Sequence, residues 1–518
     1  MAYATFMDVP QELLDRFVGC GPVNYSVYLN ACSLVCRSLR SPAQRYLYHR
    51  VRLMTTERID DLLEIIRDNA LIATYIRRIY TTSQQLSDDY GLDVQLATLF
   101  LRIKEHAPHS SLFLSIIKHP TLPCDQDSTP TRHLTLDGLV HCLAQVHYLD
   151  VIHVEEFPSI VLFSFRNLKS LFLHHTGFDP ELHAIEQEEL LELSAPLRRS
   201  LLVLRISNLG YFPSIMVSGI GAQLENLYVK NVRFVDATVN MASPRPQILR
   251  ISISNHDFGA MKTIVDSLVD FSRLIDLRDG TSPFRYQKSD KESSIQIHRS
   301  IQYALQACKD SLQILRLHCM TEAYSAENPQ IAFDLSRIPN LHTLILSCHC
   351  HDGFDVTTLP MYIRDILRTM NPETSRIHMI IIEIRLLLTR TVPDANGYVR
   401  MELPALFQQD GWIQIKEILE ALGNKRSLLV GLRVTLMGPF NNNSMMNSNR
   451  IVPGSRAEAK LYAQTIARWA TTRFSAGTRR WRLMLSLPLL DSSQADGSEP
   501  ESSVSSDDLV DTSDEDEA

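Results

Sequence analysis

The chain has 518 residues, 45% hydrophobic and 21% charged, with 51 Lys and Arg against 59 Asp and Glu. That length exceeds one compact core and predicts either several domains or one elongated repeat structure, and the composition excludes a fibrous or wholly disordered chain. The net charge of −8 comes from residues 491–518, which hold 11 acidic residues and no Lys or Arg; the remaining 51 basic and 48 acidic residues make no case for a nucleic-acid partner, which asks for a concentrated basic face.

The first residues, "MAYATFMDVPQELLDRF", lack a basic n-region followed by an apolar stretch, so the chain is expected to stay inside the cell. Residues 8–50 read as a helical module. Asp8 is placed to cap a helix with Pro10 in its first turn and Leu13, Leu14 and Phe17 on one face. In "VYLNACSLVCRSLRS", Leu29, Cys32, Cys36 and Leu39 follow helical steps, and Leu34 and Val35 broaden the stripe. The i, i+4 spacing puts Cys32 and Cys36 on one helix face, where packing explains them without chemistry. So much apolar surface on short helices predicts a core completed by a partner or by the residues that follow. A basic, tyrosine-rich segment, "YLYHRVRL" (46–53), closes the module.

From about residue 54 to 485 a repeated template governs the chain. "NLKSLFLHHTGF" (167–178), "QLENLYVKNVRF" (223–234) and "QILRISISNHDF" (247–258) share apolar residues at positions 1, 4 and 6 and an aromatic residue at 11. Looser copies stand at 146–154, 201–209, 312–320, 341–350 and 428–436. Apolar alternation at 4 and 6 predicts a short strand with one buried face. Segments of helical spacing precede several strands: 57–69, 94–106, 294–310, 357–370 and 412–425. Helix then strand, recurring, predicts an α/β solenoid with a parallel sheet and helices outside. Irregular stretches at 278–294 and 441–455 read as loops. "IHMIIIEIRLLL" (377–388) is too short and too charged to span a membrane and reads as a buried strand.

Positions 5 and 7 of each strand then face away from the helices, along the concave sheet surface. They are Phe172 and His174, Arg205 and Ser207, Tyr228 and Lys230, Ser252 and Ser254, Arg316 and His318, Ile345 and Ser347, Arg433 and Thr435. A partner with acidic or phosphorylated groups suits this polar, partly cationic set; a merely solvated face fits it equally. Nine cysteines scattered over the chain read as reduced thiols. The run Cys348, His349, Cys350, His351 is the one metal candidate, but alternation on a strand lets only two of the four share a face. With no H-E-x-x-H, G-x-S-x-G or P-loop, no catalytic residue, metal or cofactor is expected. The acidic Ser-rich tail, 491–518, is expected to be disordered, with Ser505 and Ser513 in settings that suit acidophilic kinases.

The repeat template resembles leucine-rich repeats, in a degenerate form in which position 9 is Thr176, Val232 and His256 rather than Asn. The opening segment resembles an F-box: "VPQELL" (9–14) supplies Val9, in place of the usual first Leu, with Pro10, Glu12, Leu13 and Leu14, and "LNACSLVCRSL" (29–39) supplies Leu29, Cys32, Ser33, Leu34, Val35, Cys36 and Arg37, with Leu39 where Trp is typical. Together they are similar to fungal F-box-like proteins with degenerate leucine-rich repeats. That resemblance implies a substrate adaptor whose helices, including Phe17, dock a Skp-family linker protein of a cullin ubiquitin ligase while the repeats hold an unidentified protein substrate. Two alternatives stand beside it: a leucine-rich-repeat scaffold whose helices cap the solenoid, and a metal-dependent enzyme centred on Cys348 to His351.

Overall fold

A computed structural model describes residues 13, 18, 25–35, 37–83, 86–87, 91–118, 136–155, 157–178, 189, 192–213, 217, 223–235, 245–254, 258–279, 291–318, 333–351, 358–387, 405–423, 428–437, 464–472 and 481–486. They fall into two compact units. The first takes 1–323, 333–344 and 373–377; the second takes 324–332, 345–372 and 378–518.

The first unit opens with helices α1 (Tyr25–Val35) and α2 (Arg37–Leu47), which lead into strand β1 (Arg50–Leu53). Then follow α3 (Thr56–Asp68), α4 (Leu71–Tyr75), β2 (Arg78–Thr82), a small antiparallel pair β3 (Leu86–Ser87) and β4 (Gly91–Leu92), α5 (Val94–His106), β5 (Leu112–Ile117), α6 (Leu136–Leu143), β6 (Val146–Ile152), α7 (Ser159–Phe163) and β7 (Ser170–His174). The unit continues with α8 (Ala195–Ser200), β8 (Val203–Pro213), β9 (Asn226–Val235), β10 (Arg250–Ser254), α9 (Phe258–Thr263), β11 (Asp276–Asp279), α10 (Lys291–Ala307) and β12 (Ile314–His318). Strands β1, β2 and β5 to β12 lie side by side in chain order, and every pairing among them is parallel. The expected α/β class with a parallel sheet and intervening helices is therefore what this unit shows.

The register explains why the sequence folds this way. Template position 4 forms one unbroken row across the strands: Val51, Ile79, Leu114, Leu149, Leu171, Leu204, Leu227, Ile251, Leu277 and Leu315, every one of them buried. The register shifts of β5–β6 and β8–β9 fall outside this row, at Leu112/Phe113 and Leu209/Phe212, so the parallel pairing keeps like residues in line and one apolar row per repeat suffices to place each strand. Buried helix residues complete the core: Ile59, Leu62 and Ile66 of α3, and Leu96, Leu99, Phe100 and Ile103 of α5. The start of α5 is fixed by Asp93, whose carboxylate accepts the Gln95 and Leu96 amide N–H groups at 2.7 and 3.4 Å.

Strands β6 to β9 share a device, just past the end of β6 and β7 and within β8 and β9. His153, His175, Asn208 and Asn231, all at template position 8, have φ of 58°, 48°, 54° and 49°, the left-handed region in which His and Asn are over-represented. The turn throws the next residue inward, so Val154, Thr176, Leu209 and Val232 at position 9 are buried. The polar ladder therefore stands one place before the Asn of the leucine-rich-repeat consensus. His153 stacks on His175 at 4.7 Å between ring centroids, and Asn231 Nδ2 donates to Asn208 Oδ1 at 3.0 Å.

The second unit contains the strands β13 (Thr343–His351, from Ile345 onward), β14 (Met379–Leu387), β15 (Leu429–Met437) and β16 (Trp481–Ser486), with helices α11 (Thr358–Arg368) and α12 (Gly411–Gly423). β14, β15 and β16 pair in parallel. Its core centres on Trp412, 1% exposed, whose indole N–H donates to the Leu406 carbonyl at 2.8 Å. Phe407 and Trp469 pack beside it, with Trp469 edge-on to Trp412 at 5.6 Å.

Two long gaps in the repeat spacing acquire strands. β11 fills the interval between 248 and 312, and β14, the expected buried strand at 377–388, fills that between 341 and 429. Helix boundaries shift by a few residues: α10 starts at Lys291 inside the expected loop 278–294, whose first two residues end β11. The expected loop at 441–455 and the tail at 491–518 lie outside the described residues. Among the described residues no helix is long and apolar enough to cross a membrane.

Candidate protein-interaction surfaces

The helical module has a small core of its own. Val18, Leu29, Cys32, Leu39 and Ala43 are buried together, with Tyr28 and Leu47 packed against them. Helical periodicity turns other apolar residues outward: Leu34 is 80% exposed, Val35 70%, Val27 68% and Leu13 52%. Of the residues that sequence reasoning assigns to linker binding, Leu29 and Leu39 therefore build the module, while Leu13, Leu34 and Val35 stand on its surface. Val9, Pro10, Leu14, Phe17 and Cys36 lie outside the described residues. Cys32 is buried and reduced, as its helical spacing predicts.

The open face of the first unit's sheet carries template positions 5 and 7 as rows. Phe172, Arg205, Tyr228, Ser252, Arg278 and Arg316 align in one row, and His174, Ser207 and Lys230 in the next. Arg205 lies over the ring of Tyr228, 4.4 Å from its centroid, a cation–π contact between adjacent strands. Phe172, Lys230 and Arg316 are half-buried in the same field. His318 differs from its neighbours in being buried, with its backbone N–H bonded to the Asp279 carboxylate at 3.1 Å. Asp279 stands in the inward row, and that N–H is what satisfies it there.

His174 belongs to a cluster. Its ring lies 4.5 Å from His175 and 5.5 Å from His153 between centroids, and its Nδ1 shares a 2.6 Å hydrogen bond with the Ser207 hydroxyl. Burial first, then the neighbouring His175, His153, Lys230 and Arg205, push its pKa down to about 4. The imidazole is neutral at neutral pH and rigidly held. In the second unit, Arg433 donates to Glu383 at 2.8 Å, and Glu383 also accepts from the Ser347 hydroxyl at 2.8 Å. That network engages Arg433 within its own sheet.

Of the metal candidate, Cys348 is fully buried and the side chains of His349, Cys350 and His351 lie outside the described set. Among the described residues no three His, Cys, Asp or Glu side chains are grouped to hold a metal ion. Burial raises the Cys308 thiol to about 12 and also raises that of Cys142, so neither is a nucleophile.

One feature escapes the repeat template because it starts before the clearest copies. Arg50 and Arg78 occupy paired positions on β1 and β2, Phe113 and Tyr148 continue that row, and Arg52 pairs with Tyr80 in the row above. Arg45 and Arg77 lie beside them. Arg78 Cζ sits 5.5 Å from the Phe113 centroid. His49, amid these arginines, has its pKa lowered by burial first and then by Arg50, Arg78, Arg77 and Arg45. The signal in the sequence is the absence of any Asp or Glu between Asp15 and Glu57.

No protein-family model matches the chain, and no curated protein matches it. Among solved structures, a chain of the crystal structure of the Rad7 and Elc1 complex in yeast is similar at a TM-score of 0.30 and 12% identity, over 87% of this chain and 92% of that one. A likeness of that size carries no argument about what this chain does.

Proposed function

We propose that the chain is a non-catalytic adaptor inside the cell, an F-box-like module joined to leucine-rich-repeat-like strands, which brings a protein substrate to a Skp-cullin type ubiquitin ligase. The observation that carries this reading is the division of labour within α1 and α2. Leu29, Cys32, Leu39 and Ala43 fill the module's core, yet Leu34 and Val35 stand 80% and 70% exposed beside it. Large apolar side chains held outward on short helices fit a surface completed by a partner. The sheet's open face, with Arg205 on Tyr228 and Lys230 alongside, suits an extended protein segment bearing acidic groups. The chain's contribution is proximity and orientation, with bond-making left to other subunits.

The test is co-purification with a Skp-family protein at micromolar concentration, using the wild-type chain and Leu34→Asp. Binding by the wild type and its loss in the variant support the adaptor. A wild-type chain that fails to bind overturns it and leaves a repeat scaffold.

A further inference from the structure

We infer that the arginine patch at the head of the first unit's sheet is a docking site for a clustered-acidic segment of a partner protein. Arg50 and Arg52 point to the open face, both exposed, and among the described residues neither forms an ion pair. Arg78, on the neighbouring strand, leans on the Phe113 ring, which holds its guanidinium in place. Strands about 4.8 Å apart and residues about 6.6 Å apart along a strand set these three cations on a grid of the size of a few side chains of an extended peptide. Planar guanidinium groups so arranged match carboxylates in pairs.

Along the chain from Arg16 to Thr56 and in the described open-face rows through β5, the charge at the patch is one-sided. No acidic residue occurs from Arg16 to Thr56, a span that includes both helices and β1. On the open face, the rows through β1, β2 and β5 hold Arg50, Arg78, Phe113, Arg52, Tyr80 and Ser115, and the first carboxylate is Asp150 on β6. Like charges gathered at a surface destabilise the free protein and are relieved by an anionic partner.

A peptide fits better than a nucleic acid. Base stacking on successive bases needs several open aromatic faces, but the Phe113 ring is engaged by Arg78 and by Tyr80, whose centroid lies 6.1 Å away, which leaves Tyr148, next in the row and 41% exposed, as a single ring and not a platform. In the row of Arg52 the next cation, Arg205, stands five strands on and beyond Asp150, so the patch is a compact group apart from the cations further along the sheet. The inference adds to the adaptor reading without resting on the linker: the patch is present whether or not Leu34 docks one.

The experiment uses the full chain and a fluorescein-labelled twelve-residue peptide of mixed Asp, Glu and Ser, followed by fluorescence anisotropy at several salt concentrations. Arg50→Ser with Arg52→Ser is expected to weaken binding about tenfold, the combined effect of two partly exposed ion pairs, and to flatten its salt dependence. The control pair Arg199→Ser with Arg299→Ser changes net charge equally at exposed sites elsewhere in the unit and is expected to leave binding unchanged. The inference is overturned by absent binding, by equal loss in both pairs, or by tighter binding of a twelve-nucleotide oligothymidine. Failure of the Skp-family co-purification alone leaves this result untouched, so the two readings fail separately.

Discussion

Asp276 Oδ2 accepts both Nε and Nη2 of Arg278, two residues along the same strand, at 2.9 and 2.7 Å. The carboxylate side chain is 2% exposed and the guanidinium 46%, so solvent reaches one partner and not the other. Removing the cation strands a buried charge, and breaking such a pair costs more than the pair contributes. Arg278→Ala is expected to destabilise the first unit by about 2 kcal/mol, less than for a fully buried pair because Arg278 is half in water. Adding Asp276→Asn is expected to recover most of that loss, read as the midpoint of urea unfolding.

Leu29 and Leu34 share a helix five residues apart with opposite surroundings, 1% and 80% exposed. Leu29→Ala is expected to cost about 2–5 kcal/mol through its lost burial and the cavity left behind. Leu34→Ala is expected to change stability by less than about 0.5 kcal/mol. Thermal unfolding of the two variants checks the contrast, and equal effects would contradict the module core described above.

His174 supplies a pH dependence with a definite sign. Its folded pKa, about 4, lies below the ordinary 6.5, so between those values the unfolded chain binds the extra proton. Stability from this group is complete above about pH 6.5 and is lost as pH falls toward 4. His174→Gln is expected to unfold less steeply with acidification over that window than the wild type. Parallel melting curves at pH 7 and pH 5 measure the difference, and an unchanged slope would contradict it.

Trp412 anchors the second unit through Leu406, Phe407 and Trp469. Trp412→Ala is expected to cost about 3–5 kcal/mol and to remove most of the near-ultraviolet circular dichroism of the Trp469 environment.

Much of the parallel sheet was legible because its rule is local: an apolar residue at positions 4 and 6 appears in the chain wherever a strand needs one. Helix α5 matches its expected span of 94–106, since Asp93 caps it and its apolar spacing is regular. β11 escaped because Asp279 occupies an inward position that the template reserves for an apolar residue, and its solution is a hydrogen bond to a residue 39 places on. The same bond ties the backbone of His318, a residue expected on the open face and found buried, to β11. The arginine patch escaped for a different reason. Arg50, Arg52 and Arg78 are unremarkable one at a time, and only strand pairing brings them onto one face.

Among the described residues, each strand of the first unit's parallel sheet pairs with the sheet strands just before and after it in chain order, with the β3–β4 pair set aside between β2 and β5, so no strand of that sheet waits for a distant segment to arrive. Loop-closure entropy is met one repeat at a time, and the growing edge can add or shed a single strand while the rest stays paired. Such a sheet behaves like a zipper whose teeth carry the ligand contacts. A partner that straddles several strands on the open face would then fasten the zipper as it binds, and its affinity would be coupled to the unit's cohesion even at strands it does not touch.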